Sequence, residues 1–288
     1  MIKKVGFLGP KATFTHLAVQ TFFNGETESV AYLTIPQSMD AVANGEVDLA
    51  VVPIENALEG SVNLTVDYLV HEQQELSIIG EIIVPIQQHL MVHPSRKDKW
   101  QEVTRVYSHS HAIAQCHKFL HKTFSNIPYE YATSTGAAAK YVSEHQNENI
   151  AVIANELAAK EYGLSIVKHH IHDYHYNHTR FAIVSKSNDV KFTYNQELPI
   201  KEKTTLMVTL PSDQSGALHQ VLSAFTWRKL NLSKIESRPM KTGLGNYFFI
   251  IDIDRLYDEI LIPGAIAELE ALGCSVKLLG SYQAFTIS

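Results

Sequence analysis

Short apolar runs of strand length recur along the first two thirds of the chain, at residues 5–8, 49–54, 78–85, 103–107, 150–154 and 181–184. Their hydrophobicity is continuous rather than alternating, the pattern of strands covered on both faces, and so predicts an α/β sheet. Between them, residues 15–23, 38–44, 112–124, 135–145 and 155–162 carry apolar side chains at helical spacing. The segments DLAVVPIEN (48–56) and NIAVIANE (149–156) are alike, each a buried strand followed by a carboxylate, and hint at two similar lobes. Residues 185–203 lose the periodicity and read as a linker. Beyond it the pattern predicts strand 204–210, helix 216–230, strand 231–240, strand 247–254, helix 260–272 and strand 275–282. This βαββαβ order is the ferredoxin-like arrangement.

With 288 residues the chain fits about two domains, and 45% hydrophobic against 19% charged residues supplies ample core. No apolar run approaches the ~18 residues of a transmembrane helix, and the start MIKKVGFLGP runs directly into strand and turn, so a cytoplasmic protein is expected. Cys116 and Cys274 lie far apart and form no CxxC, which argues against a disulfide scaffold or a cysteine-based zinc site. The net charge of -6 belongs to residues 1–198, because residues 199–288 carry nine basic and nine acidic side chains. Neither part has the basic footprint of a nucleic-acid binder. Histidine is abundant, with 15 residues, five of them within 168–180.

Four kinds of segment could carry chemistry. The turn after residues 5–9 leads through Thr13, Phe14 and Thr15 into a helix start, whose free N–H groups can hold a carboxylate or phosphate, although an ordinary capped helix start is the commoner meaning of such a sequence. Glu55 and Asn56 end a buried strand, where α/β sheets place ligand sites. Ser108 and His109, and Ser134 and Thr135, occupy similar strand-to-helix turns. Asn177 precedes Thr179, Arg180 and Phe181 at the mouth of a buried strand, where an arginine needs an anion, either a ligand or a neighbouring carboxylate. The histidines His169, His170, His172, His175 and His178 suggest a metal-dependent hydrolase, but HExxH is absent and the segment reads as loop, so no metal is expected.

In order along the chain, GPKATFTHLA (9–18), PIENALEGSV (53–62), SHSHAIAQC (108–116), STGAAA (134–139), AVIANELAAKEYGL (151–164) and NHTRF (177–181) resemble the prephenate dehydratase family. The C-terminal part resembles that family's regulatory ACT domain, through GAL (216–218), NLSKIESRP (231–239) and GNYFF (245–249). Three places depart from the pattern. Ala12 stands where a second Gly is common, Ala57 where Ser is usual, and Ser110-His111 where Pro-Gln is usual, which leaves open whether Ala57 and His111 contribute contacts. The absence of a chorismate mutase segment points to the monofunctional form.

The resemblance implies a two-lobed catalytic domain of the type II periplasmic-binding-protein kind over residues 1–184. Lobe one would hold about 1–84 and 179–184, lobe two about 85–178, with the active site between them and chain crossings near 84–88 and 174–179. A βαββαβ ACT domain would follow at 204–288. It implies the conversion of prephenate to phenylpyruvate without a cofactor, with Thr179 as hydrogen-bond donor to the departing hydroxyl. Arg180 would anchor the side-chain carboxylate together with N–H groups near Thr13–Thr15, and Phe181 would pack near the ring. Glu55 or a histidine would be the source of the proton. Phe14, Asn56, Ser108, His109, Ser134, Thr135 and Asn177 would complete the substrate site. L-phenylalanine would bind at Gly216, Ala217 and Leu218 and at Glu236, Ser237, Arg238 and Pro239, at a subunit interface of a homodimer or homotetramer. Arogenate dehydratase and a non-catalytic amino-acid-sensing protein are the alternatives.

Overall fold

The computed structural model describes residues 2–287 except 74, 125, 188–189, 191–193, 195–197, 212–214 and 241–246. Eight of the nineteen residues of the predicted linker, and Gly245 and Asn246 of the GNYFF motif, thus lie outside the described residues. Lobe one begins with β1 (Lys4–Leu8), α1 (Phe14–Phe22), β2 (Glu28–Tyr32), α2 (Ile35–Ala43), β3 (Leu49–Asn56), β4 (Gly60–Ser61), α3 (Asn63–Asp67) and β5 (Ser77–Pro85). Lobe two holds β6 (His89–Val92), β7 (Arg105–Ser108), α4 (Ser110–Gln115), α5 (His117–Thr123), β8 (Tyr129–Tyr131), α6 (Thr135–Glu144), β9 (Ile150–Ala154), α7 (Glu156–Tyr162) and β10 (Ser165–Lys168). The chain then returns to lobe one as β11 (His178–Ser185).

The predicted helix over 112–124 is broken in two at Cys116, whose φ of -114° and ψ of 17° leave the helical region. Lobe two is a five-stranded sheet in the order β10-β6-β9-β7-β8. In lobe one, β2-β1-β3-β11-β5 is covered by α1 on one face and α2 on the other. This double cover explains the continuous apolar runs: Phe7, Leu49, Val51 and Ile183 pack under α1, while Ala50, Val52, Ala182 and Val184 pack under α2.

The C-terminal part is β12 (Ile200–Thr209), α8 (Ala217–Thr226), β13 (Leu232–Pro239), β14 (Tyr247–Ile253), α9 (Leu261–Ala271) and β15 (Ser275–Thr286), in the sheet order β13-β14-β12-β15. That is the ferredoxin-like order, with α8 and α9 on one face over Leu206, Val208, Ile251 and Ile253. Its other face, with Phe248, Ile250 and Tyr282, joins the lobe-one core beside α2 and Leu69. β15 runs parallel to β5, pairing Gln283 with Gly80 through Thr286 with Ile83, so the two sheets become one of ten strands. Gly280 permits the approach: a Cβ there would lie 2.0 Å from the carbonyl oxygen of Ile78. The linker therefore does not separate two independent bodies, and the C-terminal unit is built onto the edge of lobe one.

Two crossovers join the lobes, one between β5 and β6 and one between β10 and β11, and they run side by side. The Ile86 N–H donates to the Asn177 carbonyl at 2.9 Å and the Ile171 N–H to that of Gln88 at 2.9 Å. The histidine-rich segment is this crossover. His89, buried, accepts the His170 N–H at Nδ1 (3.2 Å), and His172 accepts the Gln88 N–H at Nδ1 (3.3 Å). Among the described residues no group of three or more His, Cys, Asp or Glu side chains is arranged to hold a metal. No helix among them is long and apolar enough to cross a membrane.

Candidate active site

Between the lobes lies a cleft of about 460 Å³, lined by residues from both. From lobe one come Thr13 and Phe14 at the start of α1, Asn56 at the end of β3, Glu59, Gly60 and Ser61 in the following turn and β4, and Thr179 on β11. From lobe two come His109, His111, Ala112 and Gln115 around α4, and Thr133, Ser134 and Thr135 at the start of α6; Ile86 and Gln88 belong to the crossover.

The N-termini of α1 and α6 meet at the cleft because Gly136 of α6 packs against the backbone of the β1–α1 turn. A Cβ on Gly136 would stand 2.4 Å from the Lys11 carbonyl oxygen. Asn155 of lobe two seals the contact by donating to the Ala12 carbonyl at 3.0 Å. Ala12 itself has φ +63°, in the left-handed region that favours glycine, which accounts physically for a glycine being common there in the family. Thr13 caps α1 by accepting the His16 N–H, and Ser134 caps α6 by accepting that of Ala137 at 3.0 Å. First-turn N–H groups have no intrahelical acceptor, so both helix ends offer donors and positive dipole to the cleft.

Thr179 and Asn56 are paired across the β11–β3 ladder. Asn56 accepts the N–H groups of Leu58 (2.9 Å) and Glu59 (3.0 Å) at Oδ1, which fixes the orientation of its amide. Its Nδ2 then donates to Thr179 Oγ1 at 2.9 Å and to Asn177 Oδ1 at 3.0 Å. Since Thr179 Oγ1 already accepts a hydrogen bond, its own proton is free to be donated into the cleft.

The structure corrects several expectations. Arg180 points away from the cleft, because alternation along β11 sends it to the opposite face from Thr179. Its guanidinium meets Glu81 through Nε (2.8 Å) and Nη2 (2.7 Å), Glu55 through Nη1 and Asp252 through Nη2 (2.7 Å). Burial opposes its charge, yet the carboxylates of Glu81 and Asp252 outweigh that and raise its pKa further. Glu55 faces the same way, toward Arg180 and Lys234 (3.2 Å), and so is not poised to protonate a ligand in the cleft. Phe181 is buried in the core under α1 with Phe7 and Leu49. Thr15 is buried within α1 and does not line the cleft. Ser108 is buried and ties β7 to β9 by donating to the Ile153 carbonyl at 2.6 Å.

Asn177 stands behind the wall as the partner of Asn56, whereas Thr13, Phe14, Asn56, His109, Ser134, Thr135 and Thr179 all line the cleft. Sequence reasoning missed Glu59, Ser61, Gln88, Gln115 and Thr133 as lining residues and left His111 open. His111 faces the cleft from α4, its Nε2 3.9 Å from Glu59 across the lobe boundary. The His109 pKa is lowered, mainly by burial and then by His111, against the pull of Glu59. No Lys or Arg lines the cleft among the described residues, so His109 and His111 are its lining side chains able to carry positive charge. Gln88 Oε1 is buried with no hydrogen-bond partner and leaves an acceptor at the wall. No motif flags Gln88; it is a lining residue because the chain crosses between lobes there.

In the C-terminal part, Gly216 caps α8 with φ +86° and Ala217 lines a small crevice with Leu210, Pro211, Gln220 and Cys274. Glu236 and Arg238 do not join that crevice but face lobe one. Glu236 accepts from Ser61 Oγ at 2.6 Å, while Arg238 Nη2 donates to Asp67 at 2.6 Å and Arg238 Nη1 donates to Asn63. Desolvation raises the Glu236 pKa, but hydrogen bonds from Ser61, Lys234 and Arg238 prevail and hold it below the usual carboxylate value.

Residues 5–189 match the family model described as prephenate dehydratase. The chain belongs to the prephenate dehydratase family. Over 285 residues it is 65% identical to the prephenate dehydratase of Bacillus subtilis, covering 99% of this chain and all of that protein. It is 38% identical to the enzyme of Lactococcus lactis subsp. cremoris over 99% of each chain. Among solved structures, a prephenate dehydratase of Arthrobacter aurescens in complex with L-Phe superposes with a TM-score of 0.84 at 35% identity, over 97% of this chain and 89% of that one.

Proposed function

We propose that this protein is a prephenate dehydratase, converting prephenate to phenylpyruvate with loss of CO2 and water, under feedback control by L-phenylalanine. The observation that carries the reading is the Thr179 hydroxyl, held by Asn56 at the wall of an inter-lobe cleft, in a chain of this family.

Aromatisation of the ring drives the reaction, so the protein has to hold a dianion, assist the departing hydroxyl and leave the departing carboxylate poorly stabilised. Thr179 donates to the hydroxyl as the C–O bond breaks; a threonine is too weak an acid to surrender its proton outright. With Glu55 turned away, the proton comes from solvent or from a cleft histidine, His109 or His111. The side-chain carboxylate is held by the N–H groups and hydroxyls at the starts of α1 and α6 in place of Arg180. Closing the type II binding-protein-like lobes excludes water and strengthens these interactions.

The C-terminal unit acts as an ACT domain. Within one chain Ala217 of the Gly216–Leu218 turn lines the crevice while Glu236 and Arg238 face lobe one, so an L-phenylalanine site drawing on both would have to be completed by a second subunit of a homo-oligomer. Assaying phenylpyruvate formation from prephenate, with arogenate in parallel and with L-phenylalanine added, tests the reading. Prephenate turnover that L-phenylalanine depresses is expected; turnover of arogenate alone, or none, overturns it.

A further inference from the structure

We infer that Arg180 is a positioning residue through which the C-terminal domain sets the place of Thr179 in the cleft, an inference resting on the dehydratase reading above. The ladder between β11 and β3 slips at this point: Arg180 pairs with Glu55, but Phe181 pairs with Pro53, leaving Ile54 as the extra residue of a β-bulge. Bulges beside a site re-aim side chains. This one lies next to the Thr179–Asn56 pair, and the Arg180–Glu55 ion pair spans it.

The rest of the cluster belongs largely to the C-terminal domain. Asp252 of β14 accepts from Arg180 at 2.7 Å and from Thr205 of β12 at 2.8 Å. Lys203 of β12 lies 3.5 Å from Glu81 and 3.9 Å from Asp252, and Lys234 of β13 lies 3.2 Å from Glu55. The carboxylates of Glu55, Glu81 and Asp252 thus face the cations of Arg180, Lys203 and Lys234, and Lys234 also meets Glu236 at 3.0 Å. Glu81 and Asp252 are almost wholly buried, so each depends on its partners for compensation, and a change at one charge must be absorbed by the others. Lys234 also donates to Ser61 at 2.8 Å, on the lobe-one wall of the cleft. A shift of β13 and β14 therefore reaches the cleft at two points, through Arg180 to Thr179 and through Lys234 to Ser61.

A purely adhesive cluster would lower stability and leave the turnover of folded enzyme alone. A positioning cluster lowers kcat, since displacements of about 1 Å at a reacting centre cost up to ~10²-fold. The test uses the full chain and Asp252→Asn, which keeps the shape and the acceptor for Thr205 but removes a charge far along the sequence from any cleft residue. Expected is a kcat roughly 10- to 100-fold lower per folded molecule, with KM for prephenate within about three-fold of wild type, and a midpoint for L-phenylalanine displaced at least about three-fold. Arg180→Lys, which keeps the charge but not the fork, should recover part of the kcat that Arg180→Gln loses. Should Asp252→Asn fail to fold, Lys234→Gln at the end of the cluster supplies the same comparison. Variants with wild-type kcat and an unchanged L-phenylalanine midpoint, whatever their melting temperatures, overturn the inference. Wild-type enzyme that forms no phenylpyruvate would instead contradict the dehydratase reading itself.

Discussion

Replacing Thr179 with valine removes one hydroxyl at nearly constant volume and separates catalysis from folding. On the catalytic side it deletes the donor aimed at the departing hydroxyl. Removing one such preorganised donor costs about 2.7–4 kcal/mol in the transition state, or ~10²–10³ in kcat. On the folding side the loss is small, because Asn56 Nδ2 keeps Asn177 Oδ1 at 3.0 Å and its Oδ1 keeps two backbone N–H groups. One hydrogen bond of about 1 kcal/mol is lost, which corresponds to a melting temperature lower by about 2–4 °C in a chain of this size. The assay is phenylpyruvate release under saturating prephenate, with thermal unfolding followed in the same preparation. A kcat within about three-fold of wild type in a folded Thr179→Val protein would refute the donor role. A collapse of the fold would refute the reasoning that Asn56 stays satisfied.

Three further outcomes are expected. His111→Gln should raise KM for prephenate, because it removes a lining imidazole that stands 3.9 Å from Glu59 across the lobe boundary; an unchanged KM would exclude a contact between His111 and the substrate. His89, whose pKa burial and the neighbouring His170 and His169 push down to about 4, is neutral in the folded protein. The unfolded chain binds that proton at higher pH, so stability should fall as pH drops from about 6.5 toward 4, by at most about 3 kcal/mol, and His89→Asn should lessen the loss in urea titrations at pH 7.5 and 5. Gly136→Ala should raise KM several-fold and lower stability by about 1–3 kcal/mol, because its methyl meets the Lys11 carbonyl and parts the starts of α1 and α6; unchanged KM would show that the contact does not shape the cleft.

Much of this was legible in the residues, and the exceptions have physical causes. The doubly covered strands β3 and β9 announce themselves by continuous apolar runs. The edge strands β2 and β8 do not, being short and largely exposed. Thr179 and Asn56 were visible as motif residues at strand ends, and so they stand in the cleft. Arg180, Glu55 and Phe181 sit in the same motifs but face elsewhere, since the side of a strand on which a residue emerges depends on register and on the bulge at Ile54. Arg180 was read as meeting either a ligand anion or a structural carboxylate, and three carboxylates decide it. One of them, Asp252, lies 72 residues away, and the parallel β15–β5 pairing that fuses the two sheets is likewise long-range. His111 was obscured by its neighbourhood, because its role depends on Glu59 of the opposite lobe.

The most direct measurement is product stoichiometry on the purified wild-type chain supplied with prephenate at neutral pH, where spontaneous conversion is subtracted. The account predicts equal amounts of phenylpyruvate and CO2, formed at a rate that Thr179→Val reduces by ~10² or more. Prephenate left unchanged by the wild-type protein, or products formed equally fast by the variant, would contradict it.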